Sequence, residues 1–168
     1  MLPEPDKSIV LPSMRFSGRD AFAQLVRDAM AAAAQEGWRT IFVCDANFED
    51  WPLQEKAVSD SLHAWSKSGR RFVMLAGRYD YVTRNHARFV SWRKSWDHII
   101  ECRSCRHVGI ADFPSAVWSP TWAMRRLDVV HSTGVCGSEP SRRLEIRETL
   151  DELMLCSAPS FPASVMGL

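Results

Sequence analysis

From Trp38 to Arg103 short apolar runs alternate with helical patterns, and this alternation limits the possible folds more than any other feature of the chain. Thr40–Cys44 (TIFVC), Arg71–Ala76 (RFVMLA) and His98–Cys102 (HIIEC) are short, continuous and partly β-branched, as expected of strands covered on both faces. Between them, Leu53, Ala57, Leu62 and Trp65 give one helix its inward stripe, with Pro52 in its first turn, Asp50 or Trp51 as its cap and Gly69 as its stop. A second helix is predicted from Asp80 to Lys94, with Tyr81, Val82, His86, Phe89, Val90 and Trp92 on a wide apolar arc. Strands alternating with helices of this length imply parallel pairing through right-handed crossovers.

The flanks extend this core. Residues 1–17 hold three Pro and read as an extended arm, with an edge strand over Ser8 to Leu11; residues 18–168 read as a single α/β domain. A helix is predicted from Arg19 to Gln35, burying Phe22, Leu25, Val26, Ala29 and Met30 and closed by Gly37. Beyond Arg103 the strand candidates Ala116–Trp118 and Leu127–Ser132 read as antiparallel additions, and a last helix over Pro140 to Leu155 presents Ile146, Leu150, Leu153 and Met154 inward. The apolar tail APSFPASVMGL is expected to pack on the body or on a partner. The expected fold class is therefore α/β, a mixed sheet with a parallel core and helices on both faces; the alternative is a Rossmann-like three-layer sandwich.

Composition narrows the classes of function. The chain has 168 residues, ordinary for one core, and a formal net charge of +1, from which nucleic acid is not expected as a partner. No apolar run approaches the length of a membrane span, and the start MLPEPDKSIV lacks the basic and apolar regions of a signal peptide. Five Cys without framework spacing fit free thiols in a reducing compartment, so a cytoplasmic location is expected. Seven Trp favour half-buried positions and interfaces.

Candidate chemistry gathers where strands end. Ligands of parallel α/β sheets bind beyond the carboxyl ends of the strands. Asp45, Asn47, Trp51, Arg78, Asp80 and Arg93 form the candidate ligand edge, suited to a small anion or phosphoester. An apolar strand followed by Asp-x-Asp would suggest a haloacid-dehalogenase-type phosphotransferase, but Asn47 stands where the second carboxylate belongs, and turn-capping is the favoured role of Asp45 and Asp50. Arg93 falls about 20° from Val82 on the helical arc, so it needs an anionic partner there: Asp45, Asp80 or a bound anion. Cys102 and Cys105, with His107 nearby, are one pair only, which is too few for a structural zinc, and the segment after Cys105 does not read as the helix a redox pair should open. Buried, inert thiols are expected; no metal and no cofactor are assigned. No Gly-x-Ser-x-Gly elbow, Walker loop or dinucleotide fingerprint occurs.

The segments FVCDANFEDWPL, RRFVMLAGRYDYVTRNHARFVSWRKSWDHIIECR and FPASVMGL resemble those of a group of uncharacterised proteobacterial proteins, and the order of elements is similar to one half of the phospholipase D-like fold. Active members of that superfamily carry His-x-Lys-x4-Asp. Here His86-Ala-Arg88 comes nearest, with Arg93 where the Asp belongs; His63, His98, His107 and His131 are followed two residues on by Trp65, Ile100, Gly109 and Thr133. The resemblance thus implies a domain without the phosphodiesterase chemistry. A non-catalytic binding or interaction domain is expected, as a homodimer because one superfamily half often pairs with another. The alternative is an enzyme or sensor of a small anionic ligand at the strand edge.

Overall fold

The computed structural model describes residues 8–163. Its centre is the predicted parallel unit: β2 (Thr40–Asp45), β3 (Arg71–Ala76) and β4 (Ile100–Ser104), paired in order. To this are added β5 (Ser115–Trp118), β6 (Ala123–Asp128) and β7 (Thr133–Gly137), an antiparallel run beside β2. Two short strands close the ends, β1 (Met14–Phe16) on β7 and β8 (Ala158–Pro159) on β4. The result is one eight-stranded mixed sheet, ordered β1-β7-β6-β5-β2-β3-β4-β8, in a single α/β domain.

Side-chain alternation along the central strands builds two cores. Ile41 and Val43 of β2 and Phe72, Met74 and Ala76 of β3 face α1 (Arg19–Glu36), α2 (Lys56–Ser66) and α4 (Ala87–Ser95). Phe42, Cys44, Val73 and Leu75 face the other way, toward Ile146 and Leu150 of α5 (Pro140–Leu155). All five residues expected on the inner side of α1 are buried. Gly37 ends α1 with φ 67°, the left-handed conformation that glycine adopts without a Cβ penalty, and its N–H donates to the Ala33 carbonyl.

Several boundaries differ from the sequence expectation, each for a tertiary reason. The helix expected to open at Pro52 begins only at Lys56, with Glu55 as its cap, because Trp51 and Leu53 are drawn into the core as a series of turns. Val58 is buried where Ala57 was expected and Ala57 is exposed. The helix predicted over Asp80 to Lys94 is two, α3 (Asp80–Asn85) and α4, broken at His86 (φ −115°, ψ 57°), whose Nε2 lies 2.9 Å from the Phe48 carbonyl. Of the Leu127–Ser132 candidate, only Leu127 and Asp128 are strand, at the end of β6; the rest is the turn to β7, with Ser132 at φ 51°. The edge strand within the N-terminal arm is Met14–Phe16 rather than Ser8 to Leu11. Of the expected apolar tail, Phe161 stacks on Tyr79, with ring centroids 4.8 Å apart, and residues 164–168 lie outside the described part. No described helix is long and apolar enough to cross a membrane.

Candidate functional site

The β2 exit is built around Asp45. One oxygen of its carboxylate accepts the backbone N–H groups of Asn47 (3.2 Å) and Phe48 (2.8 Å), which holds Phe48 at φ 60°. The other accepts Arg126 Nη2 at 2.9 Å. Arg126, in β6, has a side chain only 1% exposed; it also donates to Asp50 (3.0 Å), Ser132 (3.2 Å) and Ser115 (2.9 Å), and it lies 4.0 Å above the Phe22 ring. Asp45 and Asp50 are therefore held in one network around a buried guanidinium, while Glu49 between them is exposed. Capping is what Asp45 does here, and Asp50 is a partner of Arg126.

The six residues of the expected edge do not converge. Trp51 is 2% exposed and packs edge-on against Phe22 and Phe48, filling the core beneath the β2 exit. Arg93 takes neither Asp45 nor Asp80 as partner. It pairs with Asp97 at 2.6 Å and donates to the Phe161 carbonyl at 3.1 Å, beside β4 and β8. Asn47 is half-buried, and its side chain accepts the Glu49 N–H at 3.0 Å.

Arg78 and Asp80 do stay open, and Arg106 joins them. The β3 and β2 exits are tied together where Gly77 and Arg78 donate their N–H groups to the Ala46 carbonyl (2.9 and 3.0 Å). Cys105 N–H donates to the Ala76 carbonyl at 3.1 Å, which brings the β4 exit alongside. Arg78 and Arg106 thereby line one cavity of about 300 Å³ with Asp80, Thr83, Ser104 and Ser160. The same two arginines line a neighbouring depression of about 200 Å³ that reaches Asn47 and Phe113. Among the described residues, neither arginine pairs with a carboxylate. Tyr79 is buried under the cavity, its hydroxyl 2.8 Å from the Arg103 carbonyl and 3.1 Å from that of Met74, and burial pushes its pKa well up. Arg106 was missed in sequence because it sits in a stretch without helical or strand periodicity.

The thiols are separated by the sheet. Cys102 belongs to the core under α1, α2 and α4, and Cys105 to the core under α5, so the two cannot act as a redox pair. Burial pushes the Cys102 thiol up to about 12. Among the described residues no group of three or more His, Cys, Asp or Glu is placed to hold a metal ion.

No family model and no curated protein matches the chain. A solved structure with the same fold is that of TrmBL2, an archaeal chromatin protein that shows a novel mode of DNA binding; the two chains share 12% identity with a TM-score of 0.66. The match covers 94% of this chain and 56% of that one, so this chain spans about half the length of the chromatin protein. The finding overturns the expectation that nucleic acid is not a partner, because a DNA-binding protein carries this fold. A net charge of +1 does not by itself exclude such a partner, since it averages over ion pairs and unpaired cations alike.

Proposed function

We propose that this chain is a non-catalytic, cytoplasmic binding domain with the architecture of one half of the phospholipase D-like fold, and that it binds nucleic acid through phosphate contacts. One observation carries the reading. Arg39, Lys67 and Arg70 are exposed on two neighbouring loops at the amino-end edge of the sheet, and among the described residues none of them pairs with a carboxylate. The loops are joined where Arg70 and Arg71 donate their N–H groups to the Arg39 carbonyl, at 3.0 and 3.1 Å. Unpaired cations held on adjacent loops suit a polyanionic backbone, and the likeness to a DNA-binding chromatin protein supports the same partner.

The non-catalytic part rests on the β2 exit. Asp45 and Asp50 there are engaged by Arg126, and no histidine has the lysine and aspartate spacing of an active superfamily member. Phosphate contacts alone give salt-dependent binding with little sequence preference.

Fluorescence anisotropy with a labelled DNA duplex, titrated across a NaCl series, tests this. Three phosphate contacts predict a slope of log K against log salt of about −2.7. Arg39→Gln, Lys67→Gln and Arg70→Gln together should flatten the slope and weaken binding on every sequence. Absence of binding at low salt refutes the reading, and so does hydrolysis of bis(p-nitrophenyl) phosphate by the purified chain.

A further inference from the structure

We infer that the cavity between the β3 and β4 exits is a binding site for a small phosphate monoester that also carries a hydroxyl or amino group. It lies at the carboxyl ends of the parallel strands, the edge opposite Arg39, Lys67 and Arg70, and is independent of nucleic-acid binding.

Charge sets the class of ligand. Arg78 and Arg106 supply two guanidinium groups, and among the described residues neither is within ion-pair distance of a carboxylate, although Asp80 lines the same cavity. A phosphate monoester carries −1.5 to −2 at neutral pH and three acceptor oxygens, which suits two planar donor forks. A backbone diester carries one charge and chain on both sides. The cavity, about 300 Å³, is at the small end of ligand sites and favours a compact molecule over a polymer.

The remaining lining sets the orientation. Asp80 is exposed on the rim and repels the phosphate, so it directs the anionic end toward the arginines and accepts a hydroxyl or ammonium hydrogen from the other end. Ser104 and Ser160 add half-buried hydroxyls. Thr83 donates its hydroxyl hydrogen to the Tyr79 carbonyl at 3.0 Å, so toward a ligand that oxygen is left with only the acceptor role. Beneath them Tyr79 is pinned by its hydroxyl and by the stacked Phe161 ring, which gives the cavity a fixed floor.

Isothermal titration calorimetry of the full chain with glycerol 3-phosphate tests the assignment, with inorganic phosphate, glycerol and a hydroxyl-ended DNA duplex as comparison ligands. One saturable site for glycerol 3-phosphate, weaker binding of inorganic phosphate and no heat from glycerol are expected. Arg78→Gln and Arg106→Gln should each weaken glycerol 3-phosphate at least tenfold, Asp80→Asn should bring glycerol 3-phosphate and inorganic phosphate closer in affinity, and Arg39→Gln should change neither. Both arginines are exposed, so melting temperatures near that of the parent chain are expected and verify folding. No binding at millimolar glycerol 3-phosphate overturns the inference. Displacement of bound glycerol 3-phosphate by the duplex also overturns it, because the cavity would then belong to the nucleic-acid surface.

Discussion

Replacing Arg126 by Met tests whether the β2 exit is one electrostatic unit. The methionine keeps apolar volume over Phe22 but removes the donors to Asp45, Asp50, Ser115 and Ser132. The Asp45 side chain, 5% exposed, would keep only the Asn47 and Phe48 N–H groups, whereas the Asp50 side chain, 25% exposed, can turn to water. Breaking a buried pair by removing one partner costs about 3–5 kcal/mol. For a chain of this size that corresponds to a fall in melting temperature of roughly 6–20 °C. Asp45→Asn should cost less, about 1.5–3 kcal/mol, because Arg126 keeps Asp50 while the new amide NH2 meets only donors. The double variant buries no unpaired charge, so its cost should fall short of the sum by about 1–3 kcal/mol. Urea unfolding followed by circular dichroism measures all four corners of the cycle. A loss under about 1 kcal/mol for Arg126→Met, or additivity within roughly 0.3 kcal/mol, would refute the reasoning.

Burial lowers the pKa of His86, against the opposing effect of its bond to the Phe48 carbonyl. The carbonyl only accepts, so Nε2 carries the hydrogen, and the buried Nδ1 has no partner among the described residues. The unfolded chain then binds the proton more readily, so this contribution to stability is present above pH roughly 6.5 and is lost progressively as pH falls from there through the lowered folded value. In His86→Gln the loss between neutral and mildly acidic pH should be smaller, and an unchanged pH profile by thermal melting would contradict the assignment. Of the five free thiols only Cys156 is exposed, so a maleimide should label one thiol in the folded chain and five in urea; rapid labelling of Cys102 in the folded chain, read by mass spectrometry, would contradict its raised pKa. A Cβ on Gly134 would collide with the Arg125 carbonyl oxygen and lie 2.7 Å from the Phe16 ring, so Gly134→Ala should destabilise by about 2 kcal/mol or more by separating β1 and β6 from β7, and a melting temperature equal to the parent's would show that the strands can shift.

The fold was largely legible because its signals are local. Continuous apolar runs marked β2 and β3, and the spacing of Phe22 through Met30 marked the inner side of α1. The boundaries that moved are those where a distant partner decides: the Phe48 carbonyl breaks the helix at His86, and burial of Trp51 and Leu53 delays α2. The candidate site was half legible. Strand exits pointed to Asp45, Arg78 and Asp80, but Arg126 reaches Asp45 across 81 residues of sequence, and no pattern of spacing announces such a pair. Arg93 carried a correct demand for an anionic partner and found it four residues away in Asp97. The net charge said nothing of where unpaired cations gather.

The pairing of β1 with β7 has a consequence for the order in which the chain can assemble. The parallel unit from α1 to β4 is made of neighbours in sequence, so it can form as soon as that stretch is synthesised. Met14–Phe16 precedes it but has nothing to pair with until Gly134 to Cys136 exist, about 120 residues later. At 5–20 residues per second that is a wait of roughly 6–24 s, with the backbone of β1 unpaired throughout. β1 is therefore placed long after it is made, and until β7 arrives its backbone is open to wrong partners.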